Sequence, residues 1–241
     1  FGGAIYDSGA PLVVKDSKFY NNSGVGPGSA GTSSSQGGAI LVMGEAAADI
    51  SGSEFINNTA DLGGAVAISS GATGTFTIDN CDFIENTANV GGGAVYVAGG
   101  SNDCTLDYCD FTGNSITNTT GGHGGAIYIV GDAINVLNSN FTDNEASYGG
   151  AIFVGNESAD TTITHVLFDK NTADVNGGAI LITGSGVVIN DTLFQSNIAG
   201  ESGGAAYVDG EGTTNAIYHS VFDDNKAGSH AEHSEHVQTG K

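Results

Sequence analysis

The sequence predicts an all-β solenoid of about eight coils, and three observations predict it. A Phe-x-x-Asn element recurs, ending at Asn22, Asn58, Asn86, Asn114, Asn144, Asn171, Asn197 and Asn225. Alternating with it, a Gly-Gly-Ala element places its alanine at Ala4, Ala39, Ala65, Ala94, Ala126, Ala151, Ala179 and Ala205. Successive copies lie about 25 to 36 residues apart, the span of one solenoid coil. The third observation is composition: 40 glycines, two prolines, no Trp and one Met. The apolar residues are β-branched or small, which favours strand over helix, and no 3.6-residue periodicity of useful length appears.

Each element of the coil has its own reason. Five residues ahead of each Phe stand Val14, Ile50, Ile78, Leu106, Val136, Ile163, Ile189 and Ile217, the inward positions of one strand. Two residues ahead the side chains are short, as at Ser53, Cys81 and Ser139, and the polar pair between the two columns breaks the alternation as a turn would. The Phe column itself, Phe19, Phe55, Phe83, Phe111, Phe141, Phe168, Phe194 and Phe222, belongs to a short strand that ends in an Asn turn. After Gly-Gly-Ala, β-branched residues recur every second position, as in Val95 and Val97, which marks a strand with one buried face. One coil cannot bury its own strands, whereas coils stacked at about 4.8 Å can. Eight coils would then form a rod of roughly 40 Å on that spacing. The Phe column becomes an internal aromatic ladder, the Asn column an amide ladder, and Gly-Gly supplies corners where a Cβ would clash. Residues 1–226 are expected to form one domain, and 227–241 a polar tail. The tail holds His230, His233 and His236, whose spacing gives no fixed metal site.

Charge narrows the partners. Twenty-seven acidic residues face five lysines and no arginine, for a net charge of −22. Such a chain repels phosphate backbones and anionic lipid, so no nucleic acid is expected as a partner. No apolar run approaches the roughly 20 residues of a membrane-spanning helix, so no membrane insertion is expected in this chain. The chain begins at Phe1 rather than Met, as a processed or excised chain does. Three cysteines argue against a disulfide scaffold. Cys81 and Cys109 fall in one inward column as buried thiols, and Cys104 lies near a loop. Sequons at Asn21, Asn57, Asn118, Asn140, Asn156 and Asn190 are compatible with a glycosylated, extracellular or cell-surface protein.

The paired Phe-x-x-Asn and Gly-Gly-Ala-[Ile/Leu/Val] elements resemble the polymorphic outer-membrane protein repeat, found in chlamydial adhesins and in archaeal adhesin-like surface proteins. The resemblance covers nearly the whole chain. It implies a right-handed parallel β-helix (β-solenoid) and a role at the cell surface, usually adhesion. It brings no catalytic residues, so the chain is expected not to be an enzyme. Chlamydial members end in an autotransporter barrel; nothing here alternates over strands of that length.

Function can sit on outward positions. In the strand after Gly-Gly-Ala these include Tyr6, Tyr96, Tyr128, Phe153 and Tyr207, expected to point away from the core. They read either as ordinary aromatic stacking or as a contact ridge for a protein or for sugar rings. Glu54, Asp82 and Asp110 share a second outward column. A solvated acidic stripe is the plain reading of it, Ca²⁺ held between the carboxylates is the alternative, and a glycosidase pair is disfavoured in a chain without arginine. No other cofactor is expected. His165 and His219 share a turn column two coils apart, too far to be co-ligands. Long corners at 23–36 and 115–123 fall on one edge, where solenoids often bind.

At the ends, Phe1, Gly2 and Gly3 open a half-coil that Phe222 and Asn225 would complete. That predicts head-to-tail stacking of copies into a surface filament, or else an excised segment of a longer adhesin. An extracellular structural or adhesive solenoid is therefore the leading reading. A polysaccharide-binding or polysaccharide-cleaving protein on the same fold, or a Ca²⁺-stabilised binding module, stands against it.

Overall fold

Alternating apolar residues at strand spacing, one set per coil, assemble into four parallel sheets. The computed structural model describes residues 2–24, 35–45, 47–100, 102–209 and 214–228. Three sheets have eight strands and one has seven, each strand pairing with its counterparts in the neighbouring coils. Eight rungs stack as the repeat count requires. Among the described residues there is no helix, so none is long and apolar enough to cross a membrane.

The chain visits the sheets in fixed order. The first holds the strands after Gly-Gly-Ala, from Ile5–Asp7 to Ala206–Val208; the second runs from Leu12–Lys15 to Ala216–Tyr218. The third, the Phe sheet, runs from Lys18–Tyr20 to Val221–Asp223. A fourth, the corner sheet, runs from Thr59–Leu62 to Lys226–Ala227. The sequence placed only a corner there. Its inward column is small, with Ala60 paired to Ala88 and Ala146 to Ala173, so it lacks the apolar contrast that announces a strand. Ala88, Ile116 and Ala146 form a minor cluster apart from the main core.

Register follows the repeat. Phe83 pairs with Phe55 below and Phe111 above, and its ring stacks on theirs at 4.8 Å on both sides. The six phenylalanines of this column from Phe55 to Phe194 are completely buried. Phe19 and Phe222 depart from the expectation that all eight lie inside. Phe19 is half-buried and Phe222 is 46% exposed, because each has a described rung on one side only.

The asparagines form the amide ladder. Asn86 donates its backbone N–H and its Nδ2 to Asn114 Oδ1, both at 3.0 Å. Its second Nδ2 hydrogen reaches the Phe55 carbonyl at 2.8 Å. The pattern continues from Asn22 to Asn225, so buried amides are satisfied by the rungs on either side. The two glycines of each corner serve different needs. Gly92 has φ +64°, a left-handed conformation; a Cβ on Gly93 would lie 2.0 Å from the Gly125 carbonyl oxygen of the next rung.

The three cysteines are free and buried. Cys81 and Cys109 point inward as expected. Cys104, placed near a loop by sequence, sits in the strand Asn102–Asp107 between Phe76 and Ile134, within the main core.

Candidate functional site

The acidic column forms as the repeat dictates. Asp82 pairs with Glu54 on one side and Asp110 on the other. Its outer members are engaged by their neighbours. Lys18 Nζ lies 2.8 Å from Glu54 Oε1, the Tyr20 hydroxyl donates to Glu54 Oε2 at 2.8 Å, and Asn140 Nδ2 donates to Asp110 Oδ1 at 2.7 Å. Hydrogen bonding from Lys18, then from Tyr20, holds the Glu54 carboxyl below its ordinary range. Asp82 moves the other way: desolvation, then repulsion from Asp110 and Glu54, raises its pKa. As the side chains lie, no three His, Cys, Asp or Glu residues among the described ones gather to hold a metal.

The outward positions after Gly-Gly-Ala lie outside the main core, but most of them are not exposed. Of the five aromatic residues only Tyr6 is exposed, at 50%. Phe153 is buried, and Tyr96, Tyr128 and Tyr207 are half-buried. The cause is the corner sheet, whose last residues fold against this column. His123, bridged in register between Gly91 and Tyr148, brings its ring within 4.3 Å of Phe153 and 5.4 Å of Tyr128. Tyr128 meets Phe153 edge-on at 5.4 Å and Tyr96 at 5.5 Å with a 46° tilt. Gly91 makes room beneath, since a Cβ there would lie 2.3 Å from the Tyr128 ring. The ridge is therefore a seam, closed on the corner-sheet side.

Sequence reasoning missed two residues beside these columns. Asp191 stands between His165 and His219, with His165 Nε2 3.7 Å from one carboxylate oxygen and His219 Nδ1 4.0 Å from the other. Glu157, in the turn after the strand Ile152–Val154, reaches back two rungs. Its Oε2 lies 3.3 Å from where a Gly99 Cβ would be. A residue in a variable turn has no column to announce it.

A family model for a right-handed beta helix region matches residues 67–239. The chain belongs to the right-handed β-helix family. The match covers more than two thirds of the β-helix and takes in about six of its eight rungs. Compared with curated proteins and with solved structures, the chain matches none.

The remaining candidates fall as follows. Among the sequons, Asn21, Asn57, Asn140 and Asn156 are exposed, while Asn118 and Asn190 are half-buried. Asn140 is tied to Asp110, and Asn190 donates to Asp191 Oδ2 at 2.6 Å. At the ends, Gly2 and Asn225 are half-buried and Gly3 is exposed. Phe1, residues 25–34 of the long corner, and His230, His233 and His236 lie outside the described residues.

Proposed function

We propose that this β-helix is a non-enzymatic structural or adhesive element of an extracellular surface, in the manner of the polymorphic outer-membrane repeat proteins it resembles. The observation that carries the reading is the use of the repeated residues by the fold itself. Phenylalanines fill the core, asparagines bond to one another, and glycines turn corners. A polysaccharide-cleaving site needs a convergent acid and base, and the acidic column offers carboxylates whose outer members are occupied by Lys18, Tyr20 and Asn140. Incubation with pectic and neutral glycans is expected to release neither reducing nor unsaturated ends. Release that Asp82→Asn abolishes would overturn the reading. The positive measurement is saturable retention of the purified chain on cells or on extracted surface material.

A second copy stacked head to tail would continue the register of the described end rungs, with Asp7 the position that opposes it. In register, Phe222 would meet Phe19, Ile217 would meet Val14, and Asn225 would donate to Asn22 Oδ1 as Asn197 donates to Asn225. Val208, Tyr218, Val221 and Phe222, each about half exposed, would be covered. Electron microscopy of the isolated chain tests this: axial rods longer than one molecule support it, and monodisperse particles at high concentration oppose it.

A further inference from the structure

Glu157 lies past the C-terminal ends of the Tyr96 and Tyr128 strands, the ends away from the corner sheet. The Tyr96 and Tyr128 rings are 5.5 Å apart and tilted by 46°. Both are half-buried and therefore held. Tyr128 is fixed by Phe153 edge-on and by His123. The turn Gly155–Ser158 is closed by the Ser158 N–H donating to the Gly155 carbonyl at 3.0 Å. A Cβ on Gly99 would meet Glu157 Oε2 at 3.3 Å and Val130 Cγ1 at 3.5 Å, and a Cβ on Gly155, at the root of the same turn, would lie 3.7 Å from Tyr128 Cε2. Burial raises the pKa of both phenols, with Tyr128 and then the Glu157 charge adding to it at Tyr96 and the Glu157 charge adding to it at Tyr128.

Among the described residues no lysine meets the negative charge of this corner. Each described lysine is engaged elsewhere, Lys15 with Asp49, Lys18 with Glu54, Lys170 with Asp169 and Lys226 with Asp224. His123, the basic side chain of the cluster, is half-buried among rings, and burial lowers its pKa, which disfavours its charged form. Its Nδ1 is buried without a hydrogen-bond partner. Paired aromatic faces beside a carboxylate are the chemistry that recognises an organic cation, and ammonium groups bind such rings through the ring quadrupole.

We propose that Tyr96, Tyr128 and Glu157 form a binding site for an organic ammonium group, such as a trimethylammonium or a lysine-type side chain on a surface partner. The net charge of −22 concentrates cations around the whole rod, and the tyrosine pair with Glu157 gives them a defined seat. The proposal does not depend on the adhesive reading, because it concerns only the ligand chemistry of this corner.

Tetramethylammonium is the probe, read by proton NMR on the intact chain. The ring currents of two tyrosines are expected to move its methyl resonance upfield in a saturable way. Tert-butanol, of similar shape and neutral, and glucose are expected to show no saturable shift. Glu157→Gln changes the net charge by only one, so bulk attraction persists, yet affinity is expected to fall about tenfold; Tyr96→Leu should do the same, and Tyr96→Phe should retain most of it. Circular dichroism confirms that the variants remain folded. Absence of saturable binding, equal binding of tert-butanol, preference for glucose, or unchanged affinity in Glu157→Gln would each overturn the proposal.

Discussion

Phe111 is sandwiched between the rings of Phe83 and Phe141 at 4.8 and 4.6 Å, with no solvent exposure. Phe111→Ala removes a stacked ring from a rung that cannot collapse without shifting its neighbours, and is expected to cost about 3–5 kcal/mol in denaturant unfolding. Asn114→Ala is a sharper test of the ladder. It leaves the Asn86 N–H and Nδ2 without their acceptor and the Phe83 carbonyl without its donor, an expected loss of about 2–5 kcal/mol. The cysteines test burial without touching stability. Desolvation pushes the Cys81 thiol up to about 11 and the Cys104 thiol up to about 12, and raises Cys109 as well. Since the thiolate is the nucleophile, native protein should resist alkylation at all three positions and react only once unfolded, as mass spectrometry would record.

Within the Phe sheet, the acidic column gives a pH signature whose sign is set by Asp82. Burial, then Asp110 and Glu54, makes the folded state bind the Asp82 proton more tightly than the unfolded state does. The folded chain is therefore not penalised below the ordinary aspartate range, and loses stability as pH rises through the raised folded value. Asp82→Asn is expected to raise the urea midpoint at neutral pH and to leave it nearly unchanged at about pH 3. Glu54 acts oppositely, through Lys18 first and then Tyr20: its contribution is present above the ordinary glutamate range and fades as pH falls through its depressed value. The Phe strands and those after Gly-Gly-Ala were legible because β-branched and aromatic residues recur at fixed offsets in every coil. The corner sheet was not, because Ala60, Ala88 and Ala146 carry little hydrophobic contrast. The seam was half legible. Spacing placed Tyr96, Tyr128 and Phe153 in one outward column, but only tertiary folding brings His123 over them and Glu157 beside them.

For the molecule as a whole, each rung rests on its two neighbours and on little else. The first rung carries an exception to the apolar pattern. Asp7 points inward in the column of Val42, Ile68 and Val97. Its Oδ1 accepts from the Gly9 and Ala10 N–H groups, and its Oδ2 is buried without a partner. A copy stacked on this rung would seal that carboxylate against Val208, and inward charge on an edge strand opposes such pairing. Asp7→Val is expected to strengthen end-to-end association, seen as larger species in sedimentation velocity. Unchanged sedimentation would show that Asp7 does not limit contact at this end. The same one-neighbour architecture decides how the rod yields to tension. Pulled from its two termini, it should give way one turn at a time, because removing a turn leaves the remainder intact. The steps along the asparagine ladder hold 26 to 36 residues, so each event should release roughly 90 to 120 Å of extended chain. A force–extension trace would then be a sawtooth, and the molecule a tether that absorbs work in successive instalments, one turn each.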